Sequence, residues 1–268
     1  MIQPSSITNT AKAIIQKKLQ EIAQVHKIRI LLAVESGSRA WGFPSINSDY
    51  DVRFIYARHP DEYLSIKEFR DVIETQIQYE SSLGTLEDLN GWDIRKALYL
   101  AIKSNPVLFE WIQSPIQYGV DESSIQALFE FCKENANLDL IKNHYYKLAF
   151  NAWRQIEEDP HQVKVKLYCY GLRPALMLQW LNQFNSVPPM DMHSLACALI
   201  KDSKLEHTID EMIAIKATAQ EEQKISRSPL IDSFIVSLLS EQPKDYGPVI
   251  ISDEQLIKGD KLFRAIIT

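Results

Sequence analysis

A chain of 268 residues, 46% of them hydrophobic and 24% charged, has the composition of a globular protein with room for one large domain or two modest ones. No apolar run approaches the roughly 18 to 20 residues that cross a bilayer, and the N-terminus lacks the basic start and apolar core of a secretory signal. A formal charge of −6 argues against a broad basic surface, so no sequence-specific duplex DNA binding is expected; a small nucleic-acid substrate on a local basic patch is still compatible.

Cys132, Cys169 and Cys197 are odd in number and widely spaced. They form neither a disulfide framework nor a zinc site, and they fit a reducing interior, so a cytoplasmic protein without a membrane partner is expected.

In chain order, Ile14, Ile15, Leu19, Ile22 and Ala23 recur at helical spacing and predict a first helix over Ile7 to Gln24. Ile28 to Val34 is a short apolar run with β-branched residues, which predicts a buried strand ending at the small residues of Glu35-Ser36-Gly37-Ser38. A loop with Gly42, Pro44 and Asn47 leads to a second strand over Tyr50 to Tyr56. Arg70 to Gln78 and Leu83 to Leu89 read as a third and a fourth strand, and Asn90-Gly91-Trp92 reads as a break before a helix from Asp93 to Lys103. A short helix over Pro106 to Ile112 follows.

Beyond Ile125 the pattern is helical: Leu138 to Glu158, Val163 to Gln183, Asp191 to Ile200, Thr208 to Lys224 and finally Asp253 to Ile267. Pro160, Pro188-Pro189 and the polar stretch Ser226 to Pro229 separate these helices. The change of character sets one boundary near residue 120, giving 1–120 as a catalytic domain and 121–268 as a helical domain that completes a cleft.

The chemistry concentrates between Ala33 and Val52. Here a strand runs into a Gly-Ser turn, and a loop later returns to a strand opened by Asp49 and Asp51. Residues i and i+2 of a strand share a face, so the two carboxylates project together. Neighbouring carboxylates raise each other's pKa unless a cation lies between them. A hard divalent ion suits them: two Mg2+, with Mn2+ as the alternative. Ions so held activate an attacking hydroxyl and stabilise a leaving pyrophosphate. Gly37 lets the backbone come close to a phosphate, Ser38 offers its hydroxyl and amide, and Arg39 adds positive charge. Arg39 also has the plainer reading of a solvated loop charge. Trp41 and Phe43 read as loop-packing aromatics ahead of base-stacking ones.

Gly-Ser, ten intervening residues and Asp-Tyr-Asp resemble the signature of the DNA polymerase β superfamily of nucleotidyltransferases. Gly37 to Gly42, Ser48 to Tyr56, Tyr63 to Ile66, Gly91 to Leu98, Ser104 to Pro106, Glu110-Trp111 and Ser114-Pro115 narrow the likeness. They resemble the branch associated with RNA repair and RNA ligase operons. The resemblance thins after about residue 200.

It implies an α+β fold: a polymerase-β-like palm, a mixed sheet flanked by helices, followed by an all-helical C-terminal domain. It also implies a third metal-binding acid that takes the proton from the attacking hydroxyl. Asp88, in the fourth strand, is preferred for that role. Asp93 is the alternate, with helix N-capping as its plain reading.

In the helical half, Lys166, Tyr170 and Arg173 stand at i, i+4 and i+7 and share a face that suits a triphosphate and a stacked base. The competing reading is core tyrosines flanked by solvated lysines. The function implied is transfer of an NMP from an NTP, ATP among them, to an acceptor hydroxyl with pyrophosphate release, an RNA end serving as acceptor. The alternatives are nucleotidylation of a protein, tRNA or small molecule, as in toxin–antitoxin systems, and a non-catalytic nucleotide-binding module.

Overall fold

The computed structural model describes residues 7–77, 87–220, 222–240 and 249–268. In chain order the described elements begin with α1 (Asn9–His26), β1 (Ile28–Glu35), α2 (Gly37–Trp41), β2 (Tyr50–Arg58), α3 (Pro60–Tyr63), β3 (Val72–Ile77) and β4 (Glu87–Asp93). Next come α4 (Ile94–Ile102), α5 (Pro106–Ile112), β5 (Gln117–Val120), α6 (Glu122–Asn135) and α7 (Leu138–Ile156). The chain continues through β6 (Gln162–Lys164), α8 (Val165–Phe184), α9 (Met192–Leu199), α10 (Ser203–Thr218), β7 (Lys224–Ser226), α11 (Pro229–Leu239) and α12 (Asp253–Ile267). No helix among these residues is long and apolar enough to cross a membrane.

The fold is α+β, and it forms two compact units between which the chain passes repeatedly. One unit contains α1, the strands β1 to β5, the helices α3 to α6, and α12. The other contains Ser38–Ser48, the helices α7 to α11, and the short strands β6 and β7. The sequence reading expects one boundary near residue 120. In the structure α6 and α12 fold with the sheet, and the loop Ser38–Ser48 folds with the helices.

The sheet unit has strand order β3-β4-β2-β1-β5. β2 and β4 run parallel, and every other neighbouring pair is antiparallel, so the sheet is mixed. Thr8 opens α1 by accepting a hydrogen bond from the Ala11 amide at 3.2 Å. Ala11, Ile15, Leu19 and Ile22 then form its apolar stripe, packed in one core with Ala33, Val52, Phe54, Tyr56, Leu89 and Tyr118. Alternation along β2 sends Val52, Phe54 and Tyr56 to this side and Asp51, Arg53 and Ile55 to the opposite face.

β4 corrects the sequence reading. Residues 83–86 lie outside the described residues, and the strand continues through Asn90-Gly91-Trp92 instead of breaking there. Gly91 pairs with Phe54 across the parallel ladder, and a Cβ at this position would lie 2.1 Å from an atom of the Phe54 ring. The glycine thus serves close packing, not a turn. Trp92 stacks on Trp111 with ring centroids 3.7 Å apart.

In the helical unit α7 packs along α8, and α9, α10 and α11 pack against α8. Val163 and Lys164 begin no helix. They belong to β6, which pairs antiparallel with β7, a partner too distant in sequence for local periodicity to reveal. Ser228-Pro229, read as punctuation, starts α11. Ser228 caps it and Pro229 takes the first turn, where a missing N–H costs nothing.

Candidate active site

The end of β1 and the start of β2 are tied together by backbone bonds. The Ser36 amide donates to the Asp51 carbonyl at 2.8 Å. Gly37 then turns with φ +58°, and a Cβ on it would fall 1.8 Å from Asp51 Oδ2. Two separate requirements therefore fix glycine here: a left-handed backbone, and an α-carbon pressed against a carboxylate.

Asp49 is exposed and immediately precedes β2, while Asp51, its second residue, is half-buried. Asp88 on β4 is the register partner of Asp51 in the parallel ladder, so both carboxylates leave the same face of adjacent strands. Arg53, two residues after Asp51 and on that face, reaches both. Its Nη2 lies 3.3 Å from Asp51 Oδ1 and 2.8 Å from Asp88 Oδ2. Its Nη1 donates to the Asp88 carbonyl at 2.9 Å and to the Val52 carbonyl at 3.1 Å.

Glu35 underlies this arrangement and is fully buried. Its Oε1 accepts from the Asp51 amide at 3.0 Å, and its Oε2 accepts from the Tyr118 hydroxyl at 2.5 Å. A buried carboxylate needs such donors, and here they pin the backbone of a site residue. Sequence reasoning assigned no role to Glu35 or Arg53. Their signals were an acid ending an otherwise apolar strand, and a cation at the i+2 position that alternation places beside Asp51.

Asp93 lies at the other end of β4, about 16 Å along the strand from Asp88 at the usual rise. It caps α4 by accepting from the Arg95 amide at 2.9 Å, and it accepts from the Tyr63 hydroxyl at 3.0 Å. Burial pushes its carboxyl above the ordinary carboxylate value, opposed by those two donors and by the guanidinium groups of Arg95 and Arg58. The structure groups Asp88 with Asp51 and leaves Asp93 apart from them.

Among the described residues no three His, Cys, Asp or Glu side chains converge on one ion position. Asp51 and Asp88 do converge on one cation, the Arg53 guanidinium, and both offer hard oxygens, with the Asp51 carboxylate lying against Gly37. That donor set suits a hard divalent ion.

The loop Ser38–Ser48 is closed on itself within the helical unit. Ser38 Oγ lies 3.1 Å from Ser48 Oγ, which also accepts from the Ser45 amide at 2.8 Å. Arg39 donates from Nη2 to the Ser48 carbonyl at 2.6 Å, so it spans the two ends of the loop. The Trp41 and Phe43 rings meet Tyr170 of α8, with centroids 5.6 and 6.2 Å away. The Arg173 guanidinium sits 4.3 Å from the Trp41 ring centroid, and its Nε donates to the Met190 carbonyl at 2.9 Å. Lys166 Nζ is 5.9 Å from the Tyr170 ring centroid. Lys166, Tyr170 and Arg173 are thus brought together, with Arg173 buried and Tyr170 partly exposed. Trp41 and Phe43 pack the loop, as the first reading has it.

Residues 11–258 match the profile of the RNA repair pathway DNA polymerase beta family. The chain is 38% identical over 218 residues to the uncharacterized protein YcgL of Bacillus subtilis (strain 168), covering 81% of each chain. Among solved structures, a nucleotidyltransferase-like protein from Exiguobacterium sibiricum 255-15 aligns with a TM-score of 0.35 and 10% identity, over 94% of this chain and 79% of that one.

Proposed function

The chain belongs to the RNA repair pathway DNA polymerase beta family, and from that premise we propose that it transfers the NMP of an NTP, ATP among them, to an acceptor hydroxyl. The acceptor oxygen bonds to the α-phosphorus, the bond from that phosphorus to the bridging oxygen breaks, and pyrophosphate departs. An RNA end is the acceptor, a role supported by the family's description. The unpaired cysteines support a cytoplasmic location.

The observation that carries this reading is the contact of Gly37 with Asp51, together with the Asp51–Asp88 register. A turn that admits only glycine lies against one carboxylate, and a second carboxylate stands beside it. Asp51 and Asp88, with Asp49 next to the strand, would hold Mg2+ or Mn2+. A divalent cation bound there would neutralise phosphate charge and lower the pKa of the attacking hydroxyl.

The chain's own groups supply the rest. The Gly37 and Ser38 amides and the Ser38 hydroxyl bind phosphate oxygens. Asp88 takes the proton of the acceptor hydroxyl. Lys166, Tyr170 and Arg173, with Arg39, bind the nucleotide; Tyr170 is the exposed member of that set, and Lys166 and Arg39 are half-buried. Glu35 holds the Asp51 backbone in place.

The test incubates the protein with each α-labelled NTP, a divalent cation, and total cell RNA and protein. Label on RNA ends, absent with Asp88→Asn of native circular dichroism, is the expected result. Label on tRNA, protein or a small molecule replaces the acceptor and keeps the chemistry. Nucleotide binding with no product in any fraction reduces the protein to a binding module.

A further inference from the structure

The inference below rests on the metal-binding reading just given and concerns the cation already lodged in that site. Arg53 does more than decorate the strand. It stands two residues beyond Asp51, on the same face, and contributes one nitrogen to both acids, at 3.3 Å from Asp51 and 2.8 Å from Asp88. Its side chain is 18% exposed, against 32% for Asp51 and 58% for Asp88, so the guanidinium rises from the sheet between two more accessible carboxylates. Its second terminal nitrogen is anchored to the Asp88 and Val52 carbonyls, which fixes the fork in place.

We propose that Arg53 is the built-in counter-cation of the metal site, filling the ground between Asp51 and Asp88 until a divalent ion displaces it.

The physical reason is mutual repulsion. Two carboxylates on adjacent strands at the same register repel, and in the metal-free protein that repulsion would push the strands apart. A guanidinium fork relieves it without leaving the chain, and its planar donors suit two acceptors better than an ammonium does. The hold is also weak. Partly exposed ion pairs are worth little, so an ion of twice the charge with several oxygen ligands can displace the arginine. Arg53 is thus a positioning residue: it keeps the acids aligned and sets the concentration at which the metal enters.

The test uses the full chain stripped with EDTA and titrated with Mn2+, free Mn2+ being read by electron paramagnetic resonance. Arg53→Gln removes the competitor, and its Mn2+ Kd is expected to fall about three- to thirtyfold below wild type. Without metal Arg53→Gln melts below wild type, and saturating Mn2+ narrows the gap, a pattern that a merely structural arginine would not produce. Arg53→Lys keeps a point charge without the fork and falls between the two in Mn2+ affinity.

An Arg53→Gln protein of native circular dichroism that binds Mn2+ no more tightly than wild type overturns the proposal and leaves the metal site standing. Should Arg53→Gln not fold, Arg53→Lys binding no tighter than wild type overturns it equally. Absence of Mn2+ binding in wild type and variants alike sinks both this inference and the metal-binding reading beneath it.

Discussion

At Gly37 the absence of a side chain is the functional statement. A methyl group there would overlap Asp51 Oδ2 and demand a left-handed backbone from alanine, which costs about 1 to 2 kcal/mol. Gly37→Ala is expected to lose that much stability in urea unfolding. If the proposed function holds, nucleotidyl transfer should also fall about 100-fold, because displacing a carboxylate of the proposed site by an ångström carries a penalty of that order. Asp88→Asn leaves the backbone register untouched, so its fold should survive while turnover is abolished. Near-normal turnover would remove Asp88 from the mechanism. The Gly-Ser turn was legible because its residues are neighbours in the chain, whereas the strand-face argument for Asp49 does not apply, since β2 begins at Tyr50. Glu35 was not legible as a site residue, since its use depends on Tyr118 lying across the sheet.

β4 carries two different carboxylates to two different ends. Near its start, Asp88 is held by the parallel ladder beside Asp51; at its end, Asp93 becomes the cap of α4. Asp93→Asn should cost about 1 kcal/mol through the weaker cap and buried contacts and leave nucleotidyl transfer unchanged.

The pH dependence of that variant has a definite sign. Asp93 holds its proton more tightly in the folded chain than in the unfolded one, so the native state binds more protons in that range. Its contribution favours folding at low pH and is lost as the pH rises from about 4 through the raised value. The stability difference between wild type and Asp93→Asn, followed by urea denaturation against pH, should therefore shift against wild type over that interval and level off above it. A difference independent of pH would place the proton elsewhere.

At the scale of the whole chain, sequence order and spatial grouping part company. α12 belongs to the sheet unit: Arg29 donates to the Ile266 carbonyl, Phe263 packs edge-on against Tyr63 at 4.9 Å, and Gly259 lies over Phe131 and Ile102. A chain ending at Ser240 should thus destabilise the sheet unit, about 3 kcal/mol or more being lost with Phe263 and Ile266 alone. Its urea midpoint against the full chain checks this. Within the helical unit, Arg173 and Lys166 should behave differently. Arg173→Ala removes a buried guanidinium from Trp41 and from the Met190 carbonyl, at a cost of about 2 kcal/mol. Lys166→Ala, at a more accessible position, should change stability by no more than about 0.5 kcal/mol and raise the KM for NTP several-fold.

Features that depend on neighbours in the chain could be read from the amino-acid sequence alone. These are the apolar run of β1, the Gly-Ser turn, the Asp49–Asp51 spacing, the α5 and α12 boundaries, and the i, i+4, i+7 face of Lys166, Tyr170 and Arg173. The motif blocks also pointed to the family that the chain belongs to. Tertiary structure decided what depends on distant partners. Gly91 stays in a strand because Phe54 lies against it. Val163 joins β6 because β7 pairs with it. Asp88, and not Asp93, stands beside Asp51 because β2 and β4 run parallel in that register. Arg53 meets both acids only when those two strands are adjacent. Periodicity is a local quantity, whereas register and pairing are set by which faces must be buried together.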